Sequence, residues 1–344
     1  MKNLSLFFLA LLFTLSVKSQ EDDGMEAILL TGVEDASKLT NAYINPAMKG
    51  LIFGMNNGWY HTAKTHKKLG FDISIGLNAA LIPTEDEIFH FADLGLSSST
   101  TSTSLTGATV AGENSLTAPV KVSTVIDGEE VTANFNMPGG VKDDLPINAI
   151  PSPNVQLTLG VSNKMDVMVR FVPEVGSDDV KGKLLGLGLK KDITSIFGAI
   201  EKLPLHVSIL GAFTNMNVNY DIQNDSSIAG SNQEATFKLN SYTIQAIASL
   251  NFPVLNIYGG IGYNGGSSEL KMKGTYELEY DTGNPAPNDT KTEVITDPLS
   301  LKFDANGMRT TLGARLSLGP IKIYGDYTLQ EYNTITAGIA ISIR

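Results

Sequence analysis

The chain of 344 residues contains no cysteine. That absence excludes disulfide scaffolds, Cys-ligated zinc, iron–sulfur clusters, thiol nucleophiles and a diacyl lipoprotein anchor. Histidine is almost as scarce, with four residues. Charged residues make up only 18%, and 25 basic against 36 acidic side chains leave a net charge of −11. Nucleic acid is therefore not an expected partner, because neutralising phosphates takes clustered Lys and Arg. Beyond residue 20 no apolar run reaches the length of a membrane-spanning helix. What the chain has in quantity is glycine, at 33, together with 14 Phe and 11 Tyr.

Met1-Lys2-Asn3 is followed by an apolar run from Leu4 to Val17 and then by Lys18-Ser19-Gln20. A basic start, a short apolar stretch and small residues near Ser19 predict a secretory signal peptide over residues 1–19. Its removal leaves 23 basic and 36 acidic residues, a net charge of −13. An exported chain without a spanning helix is either soluble or an outer-membrane barrel, since barrel segments are too weakly apolar to stop in the inner membrane.

Period-2 alternation decides between them. Ile335, Ala337, Ile339, Ile341 and Ile343 alternate with small or polar residues up to Arg344. Upstream, Met308 to Leu318 alternates in the same way, Gly319-Pro320 turns the chain, and Ile321, Ile323, Tyr327 and Leu329 follow. Further alternating stretches begin near Phe71, Val155, Met165, Leu185, Leu205, Tyr242 and Leu255. Strands of about ten residues suit a tilted bilayer crossing. The expected fold is all-β: a transmembrane, antiparallel, up-and-down β-barrel of about 14 strands with a short N-terminal plug.

Short connections are expected at 162–164, 251–253, 319–320 and Glu331-Tyr332-Asn333, and long extracellular ones over about 83–152, 221–233 and 265–298. In the longest, Ser97 to Ser104 is low-complexity and reads as flexible, and Asp127-Gly128 marks a two-residue hairpin projecting into solvent. Asp192 to Lys202 has the pattern of a short amphipathic helix packed on the barrel rim. The segment 20–49, with Glu34 to Leu39 at its centre, also lacks strand alternation and is the expected plug.

Residues Leu39 to Met48 carry Asn45-Pro46-Ala47 just ahead of the first strand. This string resembles the Asn-Pro-Ala element near the mature N-terminus of FadL-like outer-membrane proteins. The resemblance implies a 14-stranded wall, an inward-folded N-terminal plug containing Asn45, Pro46 and Ala47, and uptake of hydrophobic or amphipathic small molecules. Taken as bare sequence, Asn45-Pro46-Ala47 also reads as a helix-ending turn. The last residue, Arg344, departs from the aromatic terminus usual in such barrels.

Little in the chain points to catalysis or to a cofactor. His61 and His66 sit among Lys64, Lys67 and Lys68 and read as a solvated loop; His206 with Ser208 is one strand repeat. Glu85-Asp86-Glu87 with His90 and Asp93 lacks the spacing of a calcium loop. Gly260 to Gly265 matches G-x-G-x-x-G but lies within an alternating strand, so the dinucleotide reading fails, and the glycines suit close packing against a plug. Aromatics including Trp59, Tyr60, Phe171, Phe252, Tyr258, Tyr263, Tyr324, Tyr327 and Tyr332 suit an interfacial girdle.

On the inward face, Arg170, Arg309, Arg315, Lys322 and Asp326 are candidate lumen or ligand contacts, either as ion pairs holding the plug or as partners of a carboxylate-bearing substrate. The expected protein is a monomer in the outer membrane, surrounded by lipid and lipopolysaccharide, without enzymatic activity, metal or cofactor. Two functions follow as alternatives: a FadL-like channel for a hydrophobic ligand, or a non-transporting barrel acting as scaffold, adhesin or accessory subunit of a surface or secretion complex.

Overall fold

The computed structural model describes residues 25–162, 164–177, 179–222 and 229–343; the predicted signal peptide lies outside them. A 3-10 stretch, Met25–Thr31, leads into one α-helix, α1 (Gly32–Met55). The strands that follow are β1 (Phe71–Leu81), β2 (Ile88–His90), β3 (Thr100–Ser102), β4 (Thr106–Ala108), β5 (Ala118–Ile126), β6 (Glu129–Met137), β7 (Ala149–Ser162) and β8 (Met165–Gly176). After them come β9 (Val180–Asp192), β10 (Leu205–Asp221), β11 (Gly230–Asn251), β12 (Leu255–Asp281), β13 (Thr290–Thr296), β14 (Leu299–Leu318), β15 (Ile321–Leu329) and β16 (Thr334–Ile343).

Antiparallel pairing runs from β1 through β7, β8, β9, β10, β11, β12, β14, β15 and β16 and returns to β1, so among the described residues ten strands close the ring. The sheet as a whole has fourteen strands, as expected; β3, β5, β6 and β13 extend it at one end. The extension exists because β11, β12 and β14, at 22, 27 and 20 residues, continue past the ~10 residues that cross a bilayer and offer paired backbone above it. The range 265–298, expected as loop, is accordingly strand up to Asp281 and again over β13.

Side chains alternate as the pleat requires. On β1, Ile73, Ile75 and Leu77 are exposed on the outside, while Asp72, Ser74 and Asn78 are buried inside. The outward span Ile335–Ile343 of β16 covers roughly 30 Å of contour, or about 20–25 Å at a barrel strand's tilt, the height of a bilayer's apolar band. Phe171, Phe213, Tyr242, Tyr263 and Tyr327 edge this belt on the outside. The expected girdle is otherwise corrected: Trp59, Tyr60, Tyr258, Tyr324 and Tyr332 are buried within.

The ring has two unlike ends. Phe71 pairs with Ile343 at the end that carries the connections after β7, β9, β11 and β14. The opposite end carries the insertion between β1 and β7 and the connections after β10 and β12. Glu331-Tyr332-Asn333 belongs to this long-loop end, against expectation, because β15 runs from Ile321 beside Ile341 to Thr328 beside Thr334.

At the long-loop end the Asp127-Gly128 turn forms as expected, with both residues at positive φ (50° and 83°). The hairpin does not stand in solvent. Val120, Val122, Val131 and Phe135 are buried with Ala27, Ile28, Leu29, Leu278 and Tyr280 in one apolar core, and β6 touches β12 at Thr132 and Asp281. Nor is Ser97 to Ser104 loose: Ser97 donates to Asp35 of α1 through its N–H at 3.1 Å and its hydroxyl at 2.5 Å, and β3 pairs with β5. Valine and phenylalanine on one face of a two-stranded ribbon need a partner, and the start of the plug provides it.

Candidate functional site inside the barrel

Helix α1 packs on β1, β7, β11, β12 and β14, strands from different sides of a closed ring, and therefore lies in the lumen. It runs from the long-loop end, where Asp35 meets Ser97, toward the short-turn end. Its fit depends on small residues: a Cβ on Gly50 would come within 2.6 Å of Ile150, and one on Gly54 would strike Ser152. Asn45, Pro46 and Ala47 lie inside this helix, so the reading of them as a helix-ending turn is corrected. Pro46 has no N–H to give the carbonyl of Ala42, a cost that burial in a packed lumen offsets.

The last turn of a helix leaves carbonyls without partners, and the macrodipole gathers negative charge there. Here the barrel wall answers them. Arg170 of β8 donates to the carbonyls of Met55 at 3.1 Å and Asn57 at 2.8 Å, and to Gln156 at 3.1 Å. Arg309 of β14 donates to the carbonyl of Asn56 at 2.8 Å and to Asn57 Oδ1 at 2.5 Å. Asn78 of β1 donates to the carbonyls of Gly54 at 3.0 Å and Asn57 at 3.3 Å. Three strands thus converge on residues 54–57. The two arginines hold peptide carbonyls, where ion pairs with acidic residues were expected. Trp59 completes the clamp: its ring lies 3.8 Å under the Arg170 guanidinium carbon and fills the space left by Gly186 and Gly188.

Below the clamp, residues 58–70 form a strap that leads to β1, and a chain of charges ties it to the wall. Arg315 of β14 donates to His61 Nδ1 at 3.0 Å, so His61 carries its proton on Nε2, which faces Asp72 at 3.3 Å. His66 is different. Nε2 faces Asp72 and Nδ1 faces Asp166, both at 3.2 Å, and two carboxylates can be satisfied only by two N–H groups. His66 is therefore an imidazolium bridging β1 and β8. Lys190 of β9 closes the chain on Asp166 at 3.0 Å. The expectation of a solvated loop fails because His61 and His66 are nine-tenths buried. The flanking lysines suggested water, but the partners sit on inward positions of β1 and β8.

Burial holds His61 below its ordinary pKa, with the Arg315 charge acting in the same direction. Burial opposes the charge on His66 too, but its bonds to Asp166 and Asp72 outweigh it and push the value to about 9. Since this exceeds the unfolded value of ~6.5, the latch contributes fully below that pH and is lost as pH rises through about 9. The cost of His66→Gln should therefore be smaller at pH 10 than at pH 6.5 by on the order of 3 kcal/mol. Urea unfolding of vesicle-inserted protein at both pH values measures this; a pH-independent difference would show that His66 is not a charged bridge.

The remaining expected contacts are scattered. Arg315 joins the strap as described. Asp326 is turned inward to Tyr258, whose hydroxyl donates to it at 2.9 Å. Lys322 donates to the carbonyl of Gly319 at 2.7 Å within a turn and stays at the rim. His206 lies 3.0 Å from Asp192, but Ser208 instead donates to the carbonyl of Ala63 at 2.6 Å. Among the described residues no group of three acidic, His or Cys side chains is placed to hold a metal ion. The glycines of 260–265 lie in β12, and a Cβ on Gly260 would come 2.6 Å from the Tyr60 hydroxyl, so the strap and the wall are in close contact there.

Together these features define a class of protein: an antiparallel barrel with an apolar outer belt and a lumen stoppered by its own N-terminal helix. The chain belongs to the group described as Family of unknown function (DUF6588), whose family model matches residues 1–343. No curated protein sequence matches it. Among solved structures it is similar to Ail, the attachment invasion locus protein of Yersinia pestis, at 9% identity and a TM-score of 0.28 over 80% of this chain and 100% of that one. The translocator domain of the autotransporter NalP from Neisseria meningitidis is similar at 8% identity and a TM-score of 0.29, covering 81% and 90%. The outer membrane protease OmpT from Escherichia coli is similar at 10% identity and a TM-score of 0.28, covering 82% and 100%.

Proposed function

We propose that the chain is an outer-membrane barrel closed by its own helix, which works as a non-transporting platform presenting its long-loop end to another protein at the cell surface. The observation that carries this reading is the fixing of the stopper at both ends. Arg170, Arg309 and Asn78 hold its last turn, while Ala36 and Leu39 near its start and Ala27, Ile28 and Leu29 of the 3-10 stretch before it are built into the core under the β5–β6 hairpin. Short turns inside and long loops outside is the usual orientation of such barrels. Lipid and lipopolysaccharide are the surroundings it implies. In planar bilayers with concentrated KCl, the intact protein should give no steady conductance steps. Regular, long-lived openings would overturn the platform reading.

A second reading, uptake of a hydrophobic or amphipathic small molecule in the manner of FadL-like proteins, is favoured by one observation. A recess of about 400 Å³ lies in the wall at Val207, Ala246, Ala248, Gly259 and Ile261, with Tyr60 of the strap behind Gly260. Uptake of a labelled long-chain fatty acid by cells with and without the chain separates the two: equal rates support the platform.

A further inference from the structure

The connection between β9 and β10 departs from its expected form. Thr194–Lys202 is 3-10 and not an α-helix, and the backbone breaks at Gly198, with φ 61°. Ile196 and Phe197 are not packed on the rim either: Ile196 is 77% exposed and Phe197 47%, and Leu203 just beyond is 57% exposed. Exposed apolar side chains of this size at one spot mark a surface that something covers.

The root of the segment is held firmly. Asp192 accepts from the N–H of Thr194 at 2.8 Å and contacts His206 at 3.0 Å. The Thr194 hydroxyl accepts from the N–H of Val207 at 2.9 Å, and the N–H of Ile193 donates to the Val207 carbonyl at 2.8 Å. A root pinned in this way fixes where the loop leaves the wall. It leaves beside Val207, where the outward face of β10 begins its apolar sequence with Ile209, paired with Lys191 of β9 and Ala246 of β11, and Phe213, paired with Leu187 and Tyr242. The neighbouring connection after β11 exposes Phe252 and Val254 at the same end of the ring. The exposed residues therefore adjoin the lipid-facing belt at its edge, where Lys191 stands on the outward face beside Ile209 as a charged head does at a headgroup boundary.

We infer that the 194–203 segment is an interfacial membrane anchor, which lays Ile196, Phe197 and Leu203 into the headgroup and upper acyl region of the inner leaflet. The occupant is a phospholipid surface. Continuity with the belt selects it over a periplasmic protein, whose site would not need to begin where the lipid-facing strand does. The segment works as a depth stop: apolar groups at a fixed root oppose both outward slip and tilting of the short-turn rim.

This inference rests on the membrane reading above, and its test keeps the two apart. Because the chain has no cysteine, Phe197→Cys and Ile75→Cys can each be labelled uniquely with a nitroxide. The labelled proteins are inserted into phosphatidylethanolamine–phosphatidylglycerol vesicles, and the relaxation by oxygen is compared with that by a water-soluble nickel chelate. The anchor requires both labels to favour oxygen several-fold over nickel, with residue 197 shallower than residue 75. A lipid-like signal at residue 75 with a nickel-dominated signal at residue 197 overturns the anchor alone. Nickel-dominated signals at both overturn the membrane reading and the anchor with it.

Discussion

Replacing Ile339 and Ile341 together by arginine should abolish assembly: the unheated protein should lose the compact band that a closed barrel gives on a denaturing gel. Both side chains are about half exposed on the outer face of β16, paired in register with Ile75 and Ile73 of β1 and with Ile323 and Ile321 of β15. On the proposed membrane reading that exposure is to lipid, where an arginine near the midplane costs roughly 2–4 kcal/mol. Two such costs, about 4–8 kcal/mol, are of the same order as the ~5–15 kcal/mol that separates folded from unfolded protein. The same pair of substitutions on a water-facing strand would change stability by less than about 1 kcal/mol. An unimpaired compact band would mean that β16 faces water, and the membrane reading would fall with it.

The outward face of that strand was fully legible because the pleat ties each side chain to an environment. Ile335 to Ile343 can alternate with Gly, Ala, Ser and Thr for one reason only, two unlike faces. The same rule placed Arg170 and Arg309 inside. Strand length, by contrast, was not tied to the bilayer. Alternation continues in β12 from Leu255 to Asp281, because above the membrane the strand still separates a buried inner face from a wet outer one. A reading that counts ten residues per crossing cuts such a strand short and takes its upper part for loop.

What the arginines hold was illegible for a different reason. Every residue carries a carbonyl, so the acceptors at Met55, Asn56 and Asn57 leave no mark in the sequence, and the acidic partners expected for Arg170 and Arg309 were the only ones a sequence can advertise. His66 lies between these cases. Asp72 is six residues away and on an inward position, which could have suggested one half of the bridge. The other half, Asp166, is brought in only by the register of β7 and β8 beside β1. The aromatic residues divide in the same manner: Phe171 and Tyr263 follow strand parity to the outside, while Trp59 and Tyr60 belong to the strap, where parity says nothing.

The clamp makes the strongest internal demand on the structure, and removing it tests the stopper directly. In Arg170→Met the side-chain volume is nearly kept, but the Met55 carbonyl loses its wall donor and the Trp59 ring loses its cation. An unsatisfied buried acceptor costs ~1–3 kcal/mol, so this variant should lose about 2–4 kcal/mol against urea. Arg309→Met strips the Asn56 carbonyl and the Asn57 side chain and should lose a similar amount. Because both act on residues 55–57, the effects should not add. Once one arginine has released the turn, the second has less to hold, and the double variant should fall short of the sum by ~0.5–3 kcal/mol. Lys322→Met, by comparison, removes only a bond to the Gly319 carbonyl at the rim and should change stability by less than about 0.5 kcal/mol. Stability alone does not distinguish a stopper from any other packed segment, but conductance does. The double variant, still folded at low urea, should show channel steps in a planar bilayer where the intact protein shows none. A double variant that is destabilised yet electrically silent would mean that the helix stays seated without its arginines, held by the apolar core under the β5–β6 hairpin at the other end.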